Sequence, residues 1–409
     1  MRWGWRLLLI TAAMAVAIGI GGLFRQALWE NIDLEVRHRL VAFVSGLTAR
    51  RPETADQVAI RPRVDNPIGV NVFLDQEASV EARRRNLEML RAAGVGWVRQ
   101  QFAWMEIERD AKGDFFDRKW NQSAWASYDE IVDLALAHGV QVIARVDTSP
   151  AWARPGNAWD RSPPERDEDF GDFIYALASR YRGRVRAYQI WNEPNLAVEW
   201  GRRPPDPTAY ARLLRVATER IKQADSEAIV LTAAMAPTIE ESEQALNELV
   251  YLQRLYDAGA GGTFDVLAVQ AYGLRNGPDD HRLSHGDVNF SRATLVRELM
   301  VRNGDAARPV WASEIGWNAQ PPSFPGPAPY GAVSEELQAR YTVRAFERAH
   351  QEWPWMGVMA VWFLKLPAAW DVPAQPWHFF RILDPDFTPH PLYHALRAYA
   401  AERGLRSED

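Results

Sequence analysis

The chain has 409 residues and a formal net charge of −6, too small a surplus to suggest a nucleic-acid partner. It contains no cysteine, which excludes a disulfide scaffold, a thiolate metal site and a cysteine nucleophile. The length exceeds that of an ordinary single core, but a barrel of alternating strands and helices fills about 250 to 400 residues as one domain.

At the start of the chain, Leu7 to Phe24 form an uncharged apolar run of about 18 residues behind Arg2 and Arg6, long enough to cross a bilayer if nearly upright. Arginines on the short side place that end in the cytoplasm and everything after the run outside it. A cleaved signal peptide is the alternative, with Ala15-Val16-Ala17 as a small-residue cleavage site. The apolar residues that continue past that site favour an uncleaved anchor. Leu28, Ile32, Val36, Leu40 and Val44 recur every four residues, as in a helix leading away from the membrane. Arg50 to Arg63, with Pro52 and Pro62, reads as a linker. The expected organisation is an anchor over 1–25, a helical stalk and linker over 26–64, and one large domain over 65–409.

Beyond the linker, short β-branched or aromatic runs alternate with polar loops and longer amphipathic stretches, the pattern of parallel strands joined by crossover helices. Strands are expected near Ile68 to Leu74, Trp97 to Trp104, Val140 to Val146, Val185 to Trp191, Ile229 to Ala234, Phe264 to Ala271, Pro309 to Ser313 and Gly357 to Leu364. Helices fall between them, such as Ser123 to His138 before Gly139 and Glu165 to Arg182 before Gly183, each glycine supplying a left-handed terminating turn. Eight such units predict a closed (β/α)8 TIM barrel preceded by an N-terminal transmembrane helix. No glycine fingerprint of the dinucleotide type follows the first strand, which weighs against an open sheet.

Such a barrel carries its chemistry at the carboxyl ends of its strands. There the sequence places Arg99 and Trp104 after the second strand, Asp147 after the third, Asn192 and Glu193 after the fourth, Gln270 and Tyr272 after the sixth, Glu314 after the seventh and Trp362 on the eighth. Two glutamates at two strand ends are what acid-assisted cleavage of a sugar–sugar bond requires. One carboxyl protonates the departing oxygen while the other attacks or stabilises the sugar carbon. Trp191 and Trp317 flank the two acids, and Trp152, Trp159, Trp200, Trp370 and Trp377 lie in loops on the same face. Flat aromatic surfaces suit the apolar faces of sugar rings, though half of them would serve only to pack loops.

Asn192-Glu193-Pro194 after the fourth strand and Ser313-Glu314-Ile315-Gly316 at the seventh, taken in chain order, resemble the clan A glycoside hydrolases, particularly families 39 and 5. The similarity runs from about Ile68 to Ala400. It includes Arg99, Trp104, Trp362 and the closing stretch Ile382-Leu383-Asp384 with Thr388-Pro389-His390-Pro391-Leu392-Tyr393. The resemblance implies β-glycosidic cleavage with retention, Glu193 as acid/base and Glu314 as nucleophile. It also implies Asn192 on the sugar 2-hydroxyl, Tyr272 on the nucleophile and Trp362 under the sugar. Family members often carry histidine where this chain has Gln270, which changes the relay to the acid/base. An anchored member resembles bacterial enzymes that trim exopolysaccharide outside the inner membrane.

On chemical grounds Arg99 is the candidate partner that keeps the nucleophile ionised, while a neighbouring ionised carboxylate keeps the acid protonated. Asp147, Gln270, Tyr272 and Trp317 complete the expected substrate contacts. His281 and His285 share helical spacing without a third ligand, so no metal and no cofactor is expected. Lys365 is placed at the pocket rim. The expected partners are a polysaccharide or oligosaccharide, cleaved internally, and the membrane through the N-terminal helix, with no nucleic acid. A membrane-tethered barrel that binds polysaccharide without cleaving it, or that transglycosylates, is the alternative.

Overall fold

The computed structural model of the protein describes residues 51–367 and 374–405. The apolar run Leu7 to Phe24, the stalk Leu28 to Val44 and Trp370 lie outside them; among the described residues no helix is long and apolar enough to cross a membrane. By contacts the chain divides into two units. The large one is Arg50–Pro278 with Leu283–Asp409; of the small one only Asp279–Arg282 is described, where Arg282 pairs with Asp280.

The eight apolar runs become eight strands: β1 (Ile68–Val72), β2 (Trp97–Ala103), β3 (Gln141–Asp147), β4 (Ala187–Ile190), β5 (Ile229–Leu231), β6 (Leu267–Tyr272), β7 (Val310–Gly316) and β8 (Met356–Val361). Each pairs in parallel with its sequence neighbours, and β1 pairs with β8. The seam between β5 and β6 closes through single bridges, Leu231 with Val266 and Met235 with Val269. The result is an eight-stranded barrel with a filled interior. Its floor is an apolar layer that includes Trp97, Ile143, Leu231, Trp311 and Val358, in which the Trp97 and Trp311 rings meet edge to face at 5.1 Å. Gly357 admits that packing, since a Cβ there would lie 2.2 Å from the Trp311 indole nitrogen.

Among the described residues, eight helices longer than one turn cover the barrel: α1 (Val80–Ala92), α2 (Ala126–Ala137), α3 (Asp167–Arg180), α4 (Pro207–Ala224), α5 (Glu248–Asp257), α6 (Arg292–Arg302), α7 (Glu335–Glu352) and α8 (Pro391–Glu402). Their starts are legible locally: Ser79 accepts a hydrogen bond from the Ala82 amide, and Asp206 caps α4 ahead of Pro207. Gly139 and Gly183 follow α2 and α3 with positive φ, as the sequence predicts. The stretch read as a linker packs on the large unit in its second half. Arg297 donates to the Thr54 carbonyl, the Arg61 amide donates to the Ala307 carbonyl, and Ile60 is buried. Between β2 and α2 the chain inserts a small antiparallel hairpin, Phe116–Asp117 against Gln122–Ser123.

Candidate active site

Where β4 ends, the backbone leaves the sheet through two non-glycine residues in left-handed conformations, Trp191 (φ 72°) and Glu193 (φ 42°). Such conformations cost about 1–3 kcal/mol each and persist only where the surroundings impose them. Here the Trp191 amide donates to the Val146 carbonyl and the Glu193 amide to the Ala234 carbonyl. Buried Asn195 pins the following turn through both ends of its amide, donating to the Ala236 and Leu246 carbonyls and accepting from the Ala236 amide.

Glu314 reaches the same space through a different irregularity. Val269 pairs with Ala312 and the next residue, Gln270, pairs with Glu314, so Ser313 is the extra residue of a bulge. A bulge changes which side chains face inward, and Glu314 is buried among the polar groups of the barrel mouth.

One arginine joins the parts. Arg99, buried on β2, donates from Nη1 to Glu314 Oε1 at 2.9 Å and to Asn71 Oδ1 at 2.8 Å. Its Nη2 donates to Asn192 Oδ1 at 2.9 Å, and its Nε to Gln189 Oε1 at 2.6 Å. Asn192, its oxygen engaged by Arg99, also lines the cavity. Two residues of one strand address the two acids: Gln270 Nε2 donates to Glu193 Oε1 at 2.6 Å, and the Tyr272 hydroxyl to Glu314 Oε2 at 2.7 Å.

These environments push the two carboxyls apart in character. Burial pushes Glu193 up to about 8, with the charges of Glu314 and then Glu199 adding to it, while the Gln270 hydrogen bond and Arg99 pull the other way. Desolvation thus outweighs the neighbouring carboxylate in holding the proton, the reverse of the emphasis expected from sequence. Burial and the Glu314 charge also raise Tyr272 far above its ordinary value, so its hydroxyl stays a donor. Gln270→Met removes a donor that favours the ionised acid. The alkaline limb of the pH profile of kcat/KM is expected to move upward, and a downward move would show that Gln270 does not act on the acid.

Both glutamates open onto a cavity of about 1100 Å³ that also takes in Trp191, Asn192, Trp362, Trp377, Asp147 and Arg145. Asp147 faces it with its carboxylate held by Arg145 Nε at 2.9 Å and Gln101 Nε2 at 2.6 Å. Of the residues expected from sequence, Arg99, Glu314, Asn192 and Tyr272 form one hydrogen-bonded set and Gln270 with Glu193 a second, while Trp362 and Asp147 line the cavity beside them.

Trp104 and Trp317 do not belong to the cavity lining. The strand ends at Ala103 and a one-turn helix begins at Trp104, which turns the ring away from the mouth into the helix layer. There it is fully buried, stacked on Phe173, edge-on to Trp152, and bonded through Nε1 to Glu108 Oε2 at 2.6 Å. Trp317 is 1 % exposed, donates to the Asn276 carbonyl and packs over Gly273, where a Cβ would meet its ring at 2.2 Å. Trp104→Ala is accordingly expected to cost about 3–5 kcal/mol in urea unfolding with KM unchanged. Lys365 is likewise not on the rim: it is buried in an ion pair with Glu77 at 2.5 Å.

Sequence reasoning missed many of the lining residues, Glu199, Arg145 and Trp120 among them. Glu199 follows Glu193 in the same loop and is held by Arg161 at 2.5 Å. Arg145 sits two residues before the end of β3, and its inward alternation with Asp147 was readable. Trp120 lies on the inserted hairpin, in a stretch with no strand periodicity to flag it.

Residues 69–248 match the family described as Cellulase (glycosyl hydrolase family 5). Among solved structures, a family 39 glycoside hydrolase from Bacteroides cellulosilyticus WH2 is 20% identical with a TM-score of 0.62, over 85% of this chain and 64% of that one. The chain therefore spans less than two thirds of that relative. A GH5_18 protein from Streptomyces cattleya, solved in complex with GlcNAc, is 17% identical with a TM-score of 0.60, covering 85% and 82%. A glucosidase from Croceicoccus marinus is 14% identical with a TM-score of 0.58, covering 85% and 70%. No curated protein matches the sequence. The resemblance to clan A glycoside hydrolases is borne out by the family match, and the barrel fold by the solved structures.

Proposed function

We propose that the chain is a retaining glycosidase that cleaves internal β-linkages of a polysaccharide outside the cytoplasm, with Glu314 as nucleophile and Glu193 as acid/base. The observation that carries this reading is the unequal treatment of two carboxyls at one cavity mouth. Glu314 accepts hydrogen bonds from the Arg99 guanidinium and the Tyr272 hydroxyl, while desolvation of part-buried Glu193 holds its proton.

The chemistry follows from that division. Glu314 attacks the anomeric carbon as the bond to the leaving oxygen breaks, and Glu193 gives that oxygen its proton. In the resulting glycosyl ester Glu314 carries no charge, one of the causes raising Glu193 disappears, and Glu193 is left as a carboxylate. It then takes a proton from water, whose oxygen attacks the same carbon and releases Glu314. Two inversions give net retention. In this reading Asn192, which lines the cavity, donates to the sugar 2-hydroxyl, and Trp362, also in the lining, lies beneath the sugar. The extracytoplasmic location rests on the apolar run Leu7 to Phe24 behind Arg2 and Arg6.

Replacement of Glu314 by Gly tests the assignment. Turnover of an aryl β-glycoside that the wild type cleaves is expected to disappear, and azide is expected to restore part of it by entering the vacated space, yielding a glycosyl azide of inverted configuration. An unchanged rate, or a loss with restored turnover and an azide product of retained configuration, would overturn it.

A further inference from the structure

The cavity that holds the two glutamates is lopsided. Its walls come from the segments after β1, β2, β3 and β4 and from β7 and the region after β8, and none of its lining lies in the loops after β5 and β6. At about 1100 Å³ it is several times larger than one sugar ring needs. The inserted hairpin Phe116–Ser123 forms part of that enlarged side.

The hairpin is built firmly beneath the exposed ring of Trp120. Phe115 packs on Trp125 with ring centres 5.0 Å apart, and the Ala124 amide donates to the Phe115 carbonyl, which fastens the base to the start of α2. Asp117 Oδ1 accepts from the Lys119 and Trp120 amides, and Arg118 is tied to Asp110 and Asp114. At the tip, Trp120 is 64% exposed while lining the cavity, with the Lys119 ammonium 4.8 Å from its ring centre. A tryptophan left mostly in water adds little to folding, because the stabilisation from an aromatic side chain scales with the area it buries. A rigid loop that holds such a ring against a cleft is arranged for something that covers it. A flat aromatic ring in a cavity lining that also includes the polar Lys119, Gln122 and Ser123 suits a sugar ring, whose hydroxyls lie around its rim and whose C–H bonds lie on its faces.

We propose that this hairpin is a distal sugar subsite, with Trp120 as its stacking platform, that engages a β-linked chain away from the bond being cleaved. The proposal rests on the glycosidase reading for the identity of the chain it binds. It implies that a substrate long enough to reach from the glutamates to the hairpin gains affinity that a single glycoside cannot.

The test uses the full-length protein in detergent with cello-, manno-, xylo-, laminari- and chito-oligosaccharides of two to six sugars, together with the matching aryl glycosides. For whichever series the wild type cleaves, kcat/KM is expected to climb with chain length. Trp120→Ala is expected to lower the value for the hexasaccharide by about tenfold, mostly in KM, and to leave the aryl glycoside within about twofold. Trp120→Phe, which keeps a flat ring, is expected to recover most of the loss, and thermal unfolding of all three proteins is expected to coincide. A length dependence unchanged in Trp120→Ala, or an equal loss on the aryl glycoside, would overturn the subsite. Calorimetric binding of the hexasaccharides separates the two readings. Binding weakened by Trp120→Ala without cleavage of any series would support the subsite and overturn the glycosidase assignment, and neither binding nor cleavage in any series would overturn both.

Discussion

Glu193→Gln is expected to reduce kcat/KM on natural β-linked substrates by about 10²–10⁴, the range removed with a general acid. The loss should depend on what leaves. A dinitrophenolate departs without a proton, so its first step should survive the substitution while the second, which needs Glu193 as base, slows. The predicted signature is a burst of phenolate followed by a slow steady state, measured by stopped-flow absorbance. In the wild type the activity should fall as pH rises through about 8, where the acid loses its proton, and that limb should be absent from the variant. Stability should respond with the opposite benefit. Folded Glu193 keeps its proton to about 8, whereas the unfolded chain gives it up near 4.5, so the folded state holds the extra proton throughout that window. Folding stability from this group is therefore greatest below the unfolded value and declines as pH climbs toward the folded one. Glu193→Gln should raise the melting temperature over the wild type at pH 8.5 and show no such advantage at pH 4. A burst without a change in the alkaline limb would place the proton elsewhere.

The second large effect is expected at Arg99. Its guanidinium serves four acceptors on three strands and their ends, Glu314, Asn192, Asn71 and Gln189, from a position almost sealed from solvent. A lysine ammonium is a single point with three donors and cannot span that fork. Arg99→Lys is expected to lose at least about 10² in kcat/KM. Arg99→Met should also destabilise the fold by about 3–5 kcal/mol in urea, because Glu314 is left as an unpaired buried carboxylate. The double variant Arg99→Met with Glu314→Gln should regain much of that stability without any activity. Additive losses in this cycle would mean that the two side chains do not act on one another.

Most of the frame was readable from the chain. β-branched runs at regular intervals, each before a polar loop and an amphipathic stretch, force alternating strand and helix, and the barrel follows from having eight of them. The two glutamates and Arg99 were readable because strand ends are the one place in such a fold where a charged residue is both buried and useful. Trp104 misled for a physical reason: a residue at a strand boundary keeps the strand's alternation only if the strand continues, and here a helical turn starts at that residue and swings it into the helix layer. Trp317 similarly lies one residue past β7, where Gly273 makes room for its ring. Trp120 was invisible because a two-residue strand pair carries no period, and its importance lies in what it faces rather than in any local pattern. The bulge at Ser313 was hidden for the same kind of reason, since register belongs to the pair of strands and neither sequence alone records it.

That β6 supplies a hydrogen bond to each glutamate, Gln270 to one and Tyr272 to the other, turns a strand into a ruler. Residues two apart on one strand stand about 7 Å apart along it, a distance set by covalent geometry and indifferent to loop sequence. The two acids are thereby both referred to one strand rather than to two independent loops. The relative placement of the two acids is then insensitive to changes in the surrounding loops.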